Sequence, residues 1–332
     1  MRFWPDPLPI PPEPNLGLEF PPGSNEHYRA RVSHPTEYGL LAAVQFEFMY
    51  RLGLREHHSL LDIGCGSVRG GKLFIPYLLP GKYFGIETAS WPIEAGIEHE
   101  LGAAILDVKA PAFLIDSDFT CTAFGRTFDF ILAHSVLTHV TLDQVRRCLA
   151  EVRRCMTAES VFAATYTPGP NDGEKVPGFY TYRLERMQAL AAEQGLRCVE
   201  YEMHPMVQHW LVFVLEGVQI KPRVRAIALD PARSAVAGST VKVTVFAESY
   251  GQPLDSVELF VNASTNQYVN EAWEPVARAS PGFENAVVTF DWDTSGLAPG
   301  RHRLGVNAVS GAAVRWWYEQ TPLFYNLTLP TP

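Results

Sequence analysis

Asp62, the glycines at 64, 66, 70 and 71, and Glu87 are the residues of this 332-residue chain whose types and spacing could do chemistry together. All but the last fall in Leu60 to Gly71, LLDIGCGSVRGG. Such glycines let a backbone turn tightly and pass close to a ligand. Glu87 lies 23 residues beyond Gly64, where an acid accepts hydrogen bonds from ribose hydroxyls. That placement suits a dinucleotide, and equally an adenosine-type cofactor with an amino-acid tail. Asp62 stands immediately before the loop. A carboxylate there opposes a pyrophosphate and favours a ligand carrying an ammonium and a sulfonium.

These residues need elements to hold them. Leu60 to Ile63 read as the end of a buried strand, and Lys72 to Leu79 as a helix stopped by Pro80. Strand, glycine loop and helix in that order build the cofactor crevice of a doubly wound sheet. The pattern predicts strands at 60–63, 82–86, 112–115, 128–133, 160–164, 196–201 and 209–215. Helices are expected at 141–156, with Thr141 and Gln144 as a capping box, and at 183–194, stopped by Gly195. Only Glu202 to Gln208 separates the last two strands, too short for a crossover helix, so they form an antiparallel hairpin. Residues 35–53 read as an amphipathic helix with Tyr38, Leu41, Ala42, Phe46, Met49 and Leu52 on its apolar stripe.

Four stretches resemble the class I S-adenosylmethionine-dependent methyltransferases: LLDIGCG with its neighbours at 60–66, GIE at 85–87, SDF at 117–119 and FDFILAHSVLTHV at 128–140. The resemblance covers roughly residues 35 to 216. It implies a Rossmann-like seven-stranded α/β sheet with an antiparallel last strand, and S-adenosyl-L-methionine as cofactor. It also implies that Asp62 and the loop Gly64, Cys65, Gly66 hold the methionine end, and Glu87 the ribose. Asp118 and Phe119 match the position that flanks the adenine. His134 and Ser135 follow the fourth strand, where acceptor and methyl group meet.

Methyl transfer asks the protein to align the nucleophile and exclude water, and in some cases to remove a proton. His134 is the candidate catalytic residue, with a ring suited to proton exchange near neutrality. His139 reads mainly as an organiser of its loop. Tyr166, Tyr180 and Tyr182 could line an acceptor pocket, and His204 and His209 flank the final hairpin. His27, Tyr28 and His34 could reach a substrate but read as surface or capping residues. The histidines show no metal-binding spacing, so no metal is expected. Cys65 has no evident histidine partner and reads as packing against the ligand.

The formal charge is −9 with no basic block, which argues against a grip on a nucleic-acid backbone. No apolar run fit for export or membrane spanning opens the chain. The five cysteines, at 65, 121, 148, 155 and 198, include no CxxC pair and fit reduced thiols in cytoplasm. Residues 1–34 form a proline-rich N-terminal arm, extended where prolines crowd. Residues 35–221 would be the methyltransferase domain. Residues 222–332 lose the helical period, and short runs at 224–229, 240–248, 256–261, 286–292, 302–309 and 314–328 predict an all-β sandwich. DTSGLAPGRHRLGVNA at 293–308 resembles the late hairpin of immunoglobulin-like or fibronectin-like modules. In Arg315-Trp316-Trp317-Tyr318, alternation would put Trp316 and Tyr318 on one face and Trp317 on the other.

The expected function is methyl transfer to an oxygen of a small-molecule natural product or sugar, by an enzyme with a homodimer as its assembly. A protein or peptide methyltransferase that docks its target on the sandwich is the alternative enzyme. A cofactor-binding protein without turnover is the alternative outside enzymes.

Overall fold

Continuous burial in short apolar strands sets the architecture of the first half. Leu60–Ile63 (β1) and Phe130–Ala133 (β4) are buried at every residue, as strands covered on both faces must be. Around them lie Tyr83–Glu87 (β2), Ala112–Ile115 (β3), Val161–Tyr166 (β5), Leu196–Met203 (β8) and His209–Leu215 (β9). The order is β3-β2-β1-β4-β5-β9-β8, parallel except for β9, which runs against both neighbours. The computed structural model describes residues 15–264, 273–317 and 323–329. It divides into two units, Met1–Gly217 and Val218–Pro332. Among the described residues no helix is long and apolar enough to cross a membrane.

Helices Tyr28–Val32 (α1), Tyr38–Leu52 (α2), Gly71–Tyr77 (α3), Ser90–Gly96 (α4), Ala104–Lys109 (α5), Leu142–Arg154 (α6) and Leu184–Glu193 (α7) connect and flank the strands. α6 carries the expected capping box: Thr141 Oγ1 accepts from Gln144 N, and Gln144 Oε1 from Thr141 N. Its Val145, Cys148, Leu149 and Val152 enter a core shared with Ile131, Phe162 and Phe213 of the sheet. On α2, Phe48 stacks on Trp210 of β9 with ring centroids 4.0 Å apart.

Several boundaries differ from the sequence expectation. α3 ends at Tyr77, with Pro76 inside its last turn and Leu78 already extended. Pro76 has no N–H to give, so that turn closes before Pro80 is reached. A 3₁₀ turn at Pro35–Glu37 precedes α2, and Gly53 caps it in the left-handed region. The arm is helical over Tyr28–Val32, because His27 caps that turn and Tyr28 is buried with its hydroxyl on Glu100 at 2.9 Å. Residues 1–14, with Phe3 and Trp4 of the proline-rich arm, lie outside the described residues. A short hairpin, Gly173–Val176 (β6) and Phe179–Thr181 (β7), follows β5 and was not expected.

The second unit is β-rich. A three-stranded sheet pairs Arg223–Asp230 (β10), Thr240–Glu248 (β12) and Asn285–Asp293 (β15), in the order β10-β12-β15. A larger sheet runs from Ser234–Val236 (β11) through Leu323–Thr328 (β18), Gly300–Ser310 (β16) and Ser256–Asn262 (β13) to Trp273–Ala279 (β14). Ala313–Trp316 (β17) pairs with β16 beside it. Val243, Phe290 and Trp292 of the first sheet share one apolar cluster with Leu259, Val306 and Tyr325 of the second. Trp317 packs against this cluster, while Trp316 meets the rings of Phe260 and Trp273. Tyr318, expected to share a face with Trp316, lies outside the described residues.

Candidate active site

The carboxyl ends of β1, β2 and β4 open on a cavity of about 680 Å³ lying wholly within the first unit. Its floor is the loop after β1. Gly64 has φ +67° and Gly66 φ +57°, the left-handed region that suits glycine. A Cβ at Gly64 would lie 2.5 Å from Val136, and one at Gly66 would lie 2.5 Å from Val32. Gly70 and Gly71 serve differently from the sequence expectation. Neither has positive φ; a Cβ there would meet Gln45 at 2.7 Å and the Tyr83 hydroxyl at 2.9 Å. They let α3 sit close to α2 and β2 rather than turning the loop.

Asp62, Gly64, Cys65, Gly66, Glu87, Phe119 and His134 all line the cavity. Glu87 Oε2 accepts from Gly66 N at 2.8 Å, which ties the second strand to the loop. Its Oε1 accepts from both N and Oγ1 of Thr88, each at 2.8 Å. Asp62 is buried, and burial pushes its carboxyl up to about 7 despite a 2.7 Å hydrogen bond from the Tyr83 hydroxyl. Cys65 packs with Val68, Ile93 and Ile97, and burial holds its thiol well above the ordinary range.

Asp118 is not brought to the cavity. Its exposed carboxylate pairs with Arg147 of α6. The neighbouring acid that does line the cavity is Asp116, which accepts from the backbone of Asp118 at 3.0 Å and of Thr120 at 2.8 Å. This local cap turns Asp118 outward and sets Phe119 inward at φ +61°. His27 caps α1, Tyr28 bonds Glu100 and His34 bonds Thr36, and none of the three lines the cavity. Tyr166 bonds Glu200 at 2.6 Å and Tyr182 bonds Val140 O; neither tyrosine nor Tyr180 lines the cavity.

Arg69 was missed in the sequence. It is 6% exposed, lines the cavity, and has no carboxylate partner among the described residues. Nη1 donates to Val32 O at 3.1 Å, Nη2 meets His134 Nδ1 at 3.0 Å, and Nε has no partner. Burial lowers its guanidinium to about 10. A buried charge of this kind is stable only with compensation, which here a ligand anion would complete.

His134 is engaged at both nitrogens. Nε2 lies 2.9 Å from His204 Nε2, and His204 Nδ1 accepts from Met206 N at 3.1 Å. If Arg69 and Met206 both donate, a single hydrogen is left for the two rings to share. Two neutral imidazoles carry two. One of the three contacts is therefore not a hydrogen bond, and a further proton would worsen the misfit. Burial, then the neighbouring charge of Arg69, lowers both rings: His134 well below its ordinary range and His204 to about 4.

The cavity thus combines a buried acid, a buried cation with an orphaned N–H, and a ribose-suited carboxylate. A zwitterionic amino-acid tail carrying a sulfonium and joined to a nucleoside fits that set. Among the described residues no group of three His, Cys, Asp or Glu could hold a metal ion.

Residues 61–164 match a family model described as a methyltransferase domain. No curated protein matches the chain. Among solved structures, magnesium protoporphyrin IX methyltransferase from Synechocystis PCC 6803 with bound SAH is similar at 11% identity, over 55% of this chain and 84% of that one, with TM-score 0.42. Mitomycin 7-O-methyltransferase is similar at 17% identity over 57% and 56%, TM-score 0.43. A methyltransferase of calicheamicin biosynthesis in its SAH-bound form is similar at 16% identity over 53% and 54%, TM-score 0.40. The chain thus carries a methyltransferase domain over residues 61–164, the domain of an enzyme with S-adenosyl-L-methionine as its cofactor.

Proposed function

We propose that the enzyme methylates an oxygen of a small molecule, a natural product or a sugar. The observation that carries this reading is the cavity itself. Its volume of about 680 Å³ is that of a small-molecule site, and it is lined by residues of both charges. Asp62 faces the ammonium and sulfonium, Arg69 takes the carboxylate of the amino-acid tail, Glu87 accepts from the ribose hydroxyls, and Phe119 lies along the adenine. When bound, the cofactor supplies a methyl group already activated on a positively charged sulfur. The protein then has to align the acceptor oxygen and keep water out. Calorimetric titration with S-adenosyl-L-methionine and with NAD, followed by labelled methyl transfer into a small-molecule extract, tests the reading. Label in protein, or NAD binding without donor binding, overturns it.

The second unit in this reading is an immunoglobulin-like sandwich formed by its two sheets. It serves acceptor placement or assembly, with a homodimer as the expected form. The five free cysteines support a reducing compartment, the cytoplasm.

The loop also depends on α4. A Cβ at Gly96 would lie 2.0 Å from Ser67 O and 2.6 Å from Ser67 C, backbone atoms that cannot swing aside. Gly96→Ala is expected to destabilise the first unit by about 1–3 kcal/mol and to weaken donor binding with it. Thermal unfolding with and without donor measures both. An unchanged melting temperature and affinity would show that α4 does not set the loop.

A further inference from the structure

We infer that His139, rather than His134, is the general base of the transfer, and that the β6–β7 hairpin presents it. The inference rests on the proposed transfer to oxygen and assigns the proton step within it. His139 closes the short 3₁₀ turn Leu137–His139 after β4, is exposed, and lines the cavity. Its Nδ1 lies 2.9 Å from Gly178 O. A carbonyl oxygen only accepts, so Nδ1 carries the hydrogen. The neutral ring then keeps its lone pair on Nε2. Among the described residues Nε2 has no hydrogen-bond partner. A free Nε2 with an anchored Nδ1–H is the arrangement a histidine base needs. His134 lacks it, since Arg69 Nη2 and His204 Nε2 stand against its two nitrogens and leave neither open to an acceptor.

The hairpin is built to hold this geometry. Gly178 occupies its turn at φ +74°, and its N–H donates to Glu174 Oε1 at 2.7 Å. Phe179 packs edge-on against the His139 ring at 5.7 Å between centroids. Just beyond β7, the Tyr182 hydroxyl donates to the carbonyl of Val140, the residue next to His139. At the base of the hairpin Asp172 binds Arg183 and Arg186 at 2.7 and 3.1 Å, and Arg183 with its hydrogen bonds lowers the Asp172 carboxyl to about 2. One short segment therefore grips the ring, its tautomer and the adjoining backbone.

In the step, the acceptor hydroxyl gives its proton to His139 Nε2 as its oxygen takes the methyl group. The electron pair of the broken carbon–sulfur bond stays on sulfur. The positive charge given up there appears on the imidazolium, so atoms and charge balance. The acceptor class is a hydroxyl that keeps its proton at neutral pH, such as an alcohol or a weakly acidic phenol. An acceptor already ionised would gain nothing from the base.

Imidazole nitrogen–proton correlation spectra of the full chain, assigned by comparison with His139→Gln, test the tautomer without any acceptor. A protonated Nδ1 and a bare Nε2 are expected at His139. A proton on Nε2 in the neutral ring overturns the assignment. With the acceptor found by the labelled-donor screen, His139→Gln is expected to lower kcat by about 10²–10⁴-fold and to remove the acidic limb of the pH–rate profile. Donor affinity should stay as in the parent. An unchanged kcat or an unchanged acidic limb overturns the proposal. Absence of any transfer by the parent enzyme would instead reject the proposed function, leaving the spectra to decide the tautomer.

Discussion

Replacing Trp292 by alanine is expected to unfold the second unit at a much lower temperature while leaving donor binding intact. Trp292 is 1% exposed and lies edge-on to Tyr325 at 5.7 Å, in the cluster shared by the two sheets. Tyr325 is fixed in turn by a 2.7 Å hydrogen bond from its hydroxyl to Pro231 O. Truncating a buried tryptophan costs about 3–5 kcal/mol, from lost transfer energy and the cavity left behind. In a unit of this size that lowers its melting temperature by more than about 10 °C. Every residue lining the cofactor cavity belongs to the first unit. Calorimetric unfolding of Trp292→Ala and donor titration of the same sample are the measurements. Loss of donor binding in a protein whose first unit remains folded would defeat the expectation.

Donor affinity should also depend on pH through one buried carboxyl. Asp62 is raised to about 7 by burial, with the Tyr83 hydroxyl and Arg69 acting against that rise and Glu87 adding to it. Raising an acid makes the free protein hold a proton that the unfolded chain has released. Its contribution to stability is therefore largest at low pH and is lost as pH climbs through about 7. A bound ammonium and sulfonium favour the ionised form, so binding below that pH must expel the proton. Affinity is then expected to rise by about tenfold per pH unit up to about 7 and to level off above it. Asp62→Asn should remove this dependence and weaken binding by about 2–5 kcal/mol, the cost of breaking a desolvated charge pair. Titration at about pH 6 in buffers of different protonation enthalpy counts the proton. A flat affinity in the parent protein would exclude Asp62 as the linked group.

The place of Asp62 at the cavity was legible because strand, glycine loop and acid are neighbours in sequence, and that of Glu87 because a short βαβ unit fixes its distance. Arg69 was not. Its contacts, Val32 and His134, stand 37 and 65 residues away, and a lone arginine at the start of a helix gives no local sign of burial. The pairing of His134 with His204 spans 70 residues and appears only when β9 runs back beside β5. Asp118 misled because the choice between two nearby acids is made by which one caps the turn, and Asp116 does so.

In the second unit β14 escaped notice because Pro275 interrupts its apolar pattern. The structure accommodates that proline on an edge strand, opposite Phe260, where the register shifts and a missing N–H is tolerated. β6 and β7, four and three residues long, were too short to show a period. Yet they carry Gly178, whose carbonyl fixes the ring of His139.

The five cysteines bear on how this enzyme can be handled. All are free and buried, and burial raises every one of the thiols, Cys155 to about 11 and Cys148 to about 12. At neutral pH none offers an appreciable thiolate, the form that alkylating dyes attack. The parent chain is thus a silent background for thiol chemistry. A single cysteine introduced at exposed Val176, beside the hairpin turn, would take a fluorophore alone and report on the hairpin directly.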